Sequence, residues 1–289
     1  GTGTGDAITG ADTDSASTLN IENTDGTNPH TLTIDGNIVD GGNDLAVVIN
    51  GGANGATTVD VDGNIAIATT TGTLQVASSA NADANLNVSG DITSNAITLD
   101  DSGAGGVASL TLNGDGDQAV SATSTIDGNT NDKGSITVNN TGEGSTTTFN
   151  GIIGGNGGTV SSLTVTQGDT DLAANATFAG DVTVEQDTLT NTSGNTLSAD
   201  NITGAGVFTN EGTATVNTNL DVATVTNTDT LNVTGDLAGA AELDNQSGTT
   251  TITGNVTTTG ETTNAGTLDV DGNIDAAAGA ITNTGTLNV

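Results

Sequence analysis

The sequence predicts an all-β chain folded as a single parallel β-helix, a β-solenoid of about twelve triangular coils with no helices. Three observations carry that prediction. Apolar residues alternate at period two in short runs, as in Leu32-Thr33-Ile34, Val59-Asp60-Val61, Leu86-Asn87-Val88 and Leu110-Thr111-Leu112, and such alternation turns one face of a strand inward. Gly or Asn follows each run after a short step, which marks a turn. A motif then recurs through the last third of the chain, the signature of stacked repeats.

The repeat reads apolar-x-Asn, a turn, then Leu-x-Val-x-Gly-Asx-apolar. Its Asn positions are 191, 210, 227, 245, 264 and 283, a nearly constant interval. Two places before each stand Leu189, Phe208, Val225, Leu243, Thr262 and Ile281. The second strand recurs as Leu231-x-Val233, Thr250-x-Ile252, Leu268-x-Val270 and Leu287-x-Val289, and the third inward position as Leu237, Val256 and Ile274. Ile274, Ile281 and Leu287 follow one another at short, nearly equal steps. Each step holds one short strand and one tight turn, too little for a crossover helix. Three steps close a triangle on which the next coil stacks.

The amino-terminal part carries the motif at a longer period. Gly36, Gly63, Gly90 and Gly114 mark it, and the excess length is expected in looser turns such as Asp40-Gly41-Gly42-Asn43 and Asn50 to Gly55. Between Gly114 and Leu189 the rhythm is less regular, with Phe149 and Phe178 at the inward position before Gly151 and Gly180. One continuous domain is therefore expected, with longer coils over 1–188 and regular 18–19-residue coils over 189–289. At the inter-strand spacing the rod should be roughly 55–60 Å long.

Composition narrows the function. The chain of 289 residues carries 35 Asp+Glu against one Lys+Arg, a net charge of −34. With Lys133 its only Lys or Arg, it offers no basic patch for nucleic acid or anionic lipid. No apolar run reaches the roughly 18 residues of a membrane span. Cys is absent, which excludes disulfides, zinc ribbons and thiolate chemistry. Three Phe without Trp or Tyr suit a thin core better than a wide one. The sequence begins at Gly1 without a charged-then-apolar leader, so an export signal is expected to have been removed or to lie outside it.

The segments LTNTSGNTL (189–197), FTNEGTATV (208–216), VTNTDTLNVTGDL (225–237) and ITNTGTLNV (281–289) resemble the coil repeats of filamentous haemagglutinin-type and autotransporter passenger proteins. The likeness covers 189–289 well and 19–188 loosely. It implies a right-handed parallel β-helix, secretion from a Gram-negative-type bacterium and a place at the cell surface, where some members are adhesins and others form surface layers. The sequence departs from that pattern in showing neither an amino-terminal secretion-domain signature nor a carboxy-terminal membrane barrel.

Stacking predicts ladders. After the motif Gly stand Asn37, Asn64, Asp91, Asp115, Asp181, Asp236, Asn255 and Asn273, read as Asx residues whose tolerance of left-handed backbone and local amide bonding suits a turn. Before the motif strand stand Thr31, Thr58, Asn85, Ser109, Thr230, Thr249, Thr267 and Thr286. A Thr column raises ice binding, but the next outward column, from Thr33 and Asp60 to Asp269 and Asn288, is irregular. Against that irregularity Thr reads as a plain β-former.

The carboxylates pose the binding question. Asp60 and Asp62 flank inward Val61, and Asp269 and Asp271 flank Val270, giving two outward pairs as candidate calcium ligands; calcium is a hard cation that takes several oxygens. The DVDGNI strings at 60–65 and 269–274 resemble the middle of a calcium loop without its first carboxylate and terminal Glu, and GGNDLAVV at 41–48 is one copy of a glycine-rich nonapeptide. A solvated acidic surface that keeps the rod soluble accounts for the same residues. Catalysis is not expected: His30 and Lys133 sit in polar segments read as turns, and neither a GxSxG elbow nor a phosphate loop is present. No cap is visible at either end, and an open coil end invites pairing. Joining Leu287-Asn288-Val289 to Gly1-Thr2-Gly3 continues the strand-then-Gly rhythm.

The function expected is a secreted, non-enzymatic structural protein of the cell surface. It would self-associate end to end or laterally into a filament, matrix or surface layer. The alternative is an adhesin whose outward loops contact a glycan or a host surface.

Overall fold

A computed structural model describes residues 6–9, 17–24, 28–42, 44–67, 71–101, 105–121, 125–129, 132–155, 158–277 and 279–289. Their strands form three sheets, and every third strand in sequence joins the same sheet. The first sheet has 13 strands and runs from Asp6–Thr9 to Ile281–Asn283. The second has 13, from Ser17–Glu22 to Thr286–Asn288, and the third has 12, from His30–Ile34 to Ile274–Ala276. Neighbouring strands within each sheet pair in parallel, and no helix occurs among the described residues. This is the β-solenoid that the period predicts. Thirteen strands at the usual spacing span about 58 Å.

Alternation does the packing. Strand Leu45–Asn50 buries Leu45, Val47 and Ile49 and turns Ala46, Val48 and Asn50 outward, and the same pattern repeats up the stack. The inward side chains form one continuous core from Ile34 to Val270. Phe149, Phe178 and Phe208 are all buried in it, so three aromatic rings suffice because the interior is one coil wide. Leu32 departs from expectation. Its place in the motif predicts an inward side chain, yet it is 44% exposed, because its strand begins the third sheet and has a neighbour on one side only.

Coil length changes along the rod while the core does not. In the third sheet the register partners are widely separated in sequence from Leu32 and Val59 up to Ile136 and Leu163. Beyond Leu163 the interval shortens abruptly, to Val182, Ile202, Leu220 and Leu237 in turn. Asp169–Leu172 pairs directly with Thr188–Asn191, so the sheet runs unbroken through residue 188.

The structure relocates the Gly-Asx corner. At Gly36, Gly63, Gly90 and Gly114 it joins the third sheet to the first; at Gly180, Gly235, Gly254 and Gly272 it joins second to third; between them Gly151, preceded by Asn150 and followed by Ile152, joins first to second. The motif thus moves round the triangle, and the ladder expected to be single is two. On the first corner the Oδ1 of Asn37 accepts the Asn64 N–H at 2.9 Å, Asn64 accepts from Asp91 at 2.8 Å, and Asp91 accepts from Ala119, not Asp115, at 2.8 Å. On the other, Asn219 donates its N–H to Asn201 at 3.0 Å, Asp236 to Asn219 at 3.0 Å, Asn255 to Asp236 at 2.7 Å and Asn273 to Asn255 at 3.1 Å. The only described non-Gly residues with positive φ are Asp132 and Asp187. The corner Asx side chains therefore do not serve left-handed turns, as the sequence suggests; they staple each coil to the next.

Candidate functional site

Inside the rod the apolar-x-Asn motif places its Asn inward, two positions after the apolar residue. Asn191, Asn210, Asn227 and Asn245 are buried at 0% exposure and Asn264 at 1%, a position where an amide must be satisfied. Each Nδ2 donates to the Oδ1 of the next rung, at 2.8, 2.8, 3.0, 2.6 and 2.7 Å from Asn191 through to Asn283. The same Nδ2 groups also reach backbone carbonyls, as Asn210 does to Gly212 at 2.8 Å and Thr230 at 2.9 Å. Donor and acceptor of one amide thus face opposite ways along the axis, and the ladder has a direction. The foot of the ladder is the exception: the buried Oδ1 of Asn191 lacks a partner, since the rung beneath it is Leu172.

The two candidate calcium pairs are placed outward and apart. Asp60 and Asp269 are half-buried on strand faces, and Asp62 and Asp271 are exposed at the following turns. Asp60 lies on the second strand of the third sheet and Asp269 on the twelfth strand of the second, roughly 48 Å away along the axis. The two candidate pairs therefore lie on different sheets and far apart along the rod. The Oδ1 of Asp60 also accepts the Asn87 Nδ2 at 2.7 Å. Among the described residues no three Asp, Glu or His side chains gather as a metal group. The GGNDLAVV segment includes Asn43, which lies outside the described residues, as do Gly1, Thr2 and Gly3. Calcium stabilisation makes a direct prediction: EDTA should lower the melting temperature, read by circular dichroism, and an unchanged value would remove calcium from the account.

Two depressions hold carboxylates. One of about 270 Å³ is lined by Glu143, Asp169 and Asp187, and a more open one of about 460 Å³ by Asp91, Asp117 and Asp171. Most of these groups serve the neighbouring coil. Asp187 accepts the Gly168 N–H at 2.8 Å, Asp169 that of Thr188 at 3.1 Å, and Asp117 that of Thr146 at 3.0 Å. His30 and Lys133, read as turn residues from the sequence, instead begin the strands His30–Ile34 and Lys133–Asn139. Three further strands of the third sheet lie between those two, so the chain's one His and one Lys do not form a pair.

What the geometry defines is a class: a parallel β-solenoid whose polar side chains chiefly bind coil to coil. No protein-family model matches the chain, and neither a curated protein nor a solved structure matches it.

Proposed function

We propose that the chain is a non-enzymatic structural protein of a bacterial cell surface, a secreted acidic solenoid that builds a filament, matrix or surface layer. The supporting observation is the rod itself, in which three sheets enclose one core and the Asx and Asn ladders serve stacking. The haemagglutinin-like segments within 189–289 support the surface location. A net charge of −34 opposes lateral approach of two rods, so association along the axis is favoured and salt should promote the rest by screening.

Negative-stain electron microscopy of the purified chain, with and without calcium, tests this reading. Filaments or sheets with an axial repeat near 62 Å, about thirteen strand spacings, are expected. Isolated rods under both conditions would overturn self-assembly and turn attention to the adhesin alternative.

A further inference from the structure

Asn followed by Gly is the pair most prone to lose its side-chain amide spontaneously, because a glycine nitrogen approaches the neighbouring side-chain carbonyl with no Cβ in the way. The chain holds five such pairs, beginning at Asn50, Asn54, Asn113, Asn150 and Asn156; Asn156 and Gly157 lie outside the described residues. The reaction needs a Gly N–H free to become the nucleophile, and an Asn free to turn its side chain towards it. The fold withholds one or both from three of the pairs.

Asn50 ends the strand Leu45–Asn50, and its Nδ2 donates to Asn20 Oδ1 at 2.7 Å while Gly51 donates its N–H to Ala77 O at 2.8 Å. Gly114 donates its N–H to the Oε1 of buried Gln118 at 2.8 Å. Asn150 and Gly151 are the whole corner between Thr146–Phe149 and Ile152–Ile153, and Asn150 donates its own N–H to Val120 O at 2.9 Å. Strands thus hold that backbone on both sides. Asn54 differs. It is exposed in the longer corner, residues 51–56, that joins Leu45–Asn50 to Thr57–Val61. Among the described residues neither its side chain nor the Gly55 N–H has a hydrogen-bond partner. A Cβ on Gly55 would lie 2.5 Å from Asn28 O, so packing between coils accounts for the glycine but not for the asparagine before it.

We propose that Asn54 is a site of spontaneous deamidation and isoaspartate formation. The Gly55 nitrogen, its proton lost to hydroxide, attacks the Asn54 side-chain Cγ; the new C–N bond closes a five-membered succinimide, and ammonia leaves. Water then opens the ring at the side-chain carbonyl to give aspartate, or at the main-chain carbonyl to give isoaspartate. Either product adds a carboxylate, and isoaspartate also adds one methylene to the main chain. That insertion falls between the second and third sheets, where it shifts no strand register.

The test incubates the full chain in warm, mildly alkaline buffer and follows each Asn-Gly pair by tandem mass spectrometry of its peptides. Isoaspartate is read by methyl transfer from S-adenosylmethionine with an isoaspartyl methyltransferase. Asn54 should convert roughly tenfold faster than Asn50 or Asn113, since no hydrogen bond has to break to free its nucleophile, and faster than Asn150. In guanidinium, where every Gly N–H is free, the rates should draw together. An unconverted Asn54, conversion of Asn54 and Asn113 at the same rate in the folded chain, or a difference that persists unchanged in guanidinium would overturn the proposal.

Discussion

Replacing Asn227 by Asp should destabilise the chain by about 4 kcal/mol, although the two side chains have nearly the same shape. Asn227 is fully buried in the third rung of the ladder. Its Oδ1 accepts the Asn210 Nδ2 at 2.8 Å, and its Nδ2 reaches Asp229 O, Thr250 Oγ1 and Asn245 Oδ1, each at 3.0 Å. A carboxylate keeps the first bond and loses every donor, so its second oxygen faces a carbonyl and an amide oxygen across a dry interior. Burial raises the pKa of that carboxyl above its unfolded value. The protonated form, which restores one donor, is then favoured in the folded state. The loss should therefore be largest above the raised folded pKa and shrink as pH falls through it. Urea unfolding at two pH values measures this, and hydrogen exchange over 225–252 locates it. Asn232→Asp, on the outward face of the next strand, should change stability by less than about 0.5 kcal/mol. Equal effects at the two positions would show that the ladder adds nothing to stability.

The coil was legible in the sequence, while the side of the triangle was not. Leu-x-Val followed by Gly fixes an inward pair and a corner, and the recurrence of Asn191, Asn210 and Asn227 fixes the length of a coil. But all three sides are written in the same local code, an apolar pair and then a turn, so nothing near Leu32 or Leu231 says which sheet each joins. The structure puts the first on the third sheet and the second on the second. The transition lies where Phe149-Asn150-Gly151 and Phe178-Ala179-Gly180 carry the corner round. The same ambiguity joined Asp60 and Asp269 in one outward column, when they stand on different sheets, and it concealed Asn201 and Asn219, rungs of the second Asx ladder with no Gly before them. The inward Asn column carries a readable signal. Each Asn follows an inward residue by two, and parity alone sends it into the core.

The corner makes the strongest demand on side-chain size, and Gly254→Val should cost about 4 kcal/mol. Gly235, Gly254 and Gly272 stack directly, with Gly254 donating its N–H to Gly235 O at 3.0 Å and Gly272 donating to Gly254 O at 3.1 Å. A Cβ built on Gly254 would lie 2.5 Å from Gly235 O and 2.3 Å from the Oδ1 of Asp236, and the first of these is backbone that cannot swing aside. Relief requires the two coils to part at this corner. Parting them strains the Gly254 to Gly235 bond and the adjoining one from Asn255 N–H to Asp236 Oδ1, now 2.7 Å. The damage should spread to the next coil, since Gly272 depends on the same column. Gly116→Ala supplies the contrast: its Cβ would meet nothing within 4 Å and its φ lies outside the left-handed region, so stability should hold within about 0.5 kcal/mol. Thermal unfolding of both variants decides the matter. A Gly254→Val chain as stable as Gly116→Ala would mean that the corners are free to open, and that the stapled column of Asx and Gly is not what sets the close stacking of the coils.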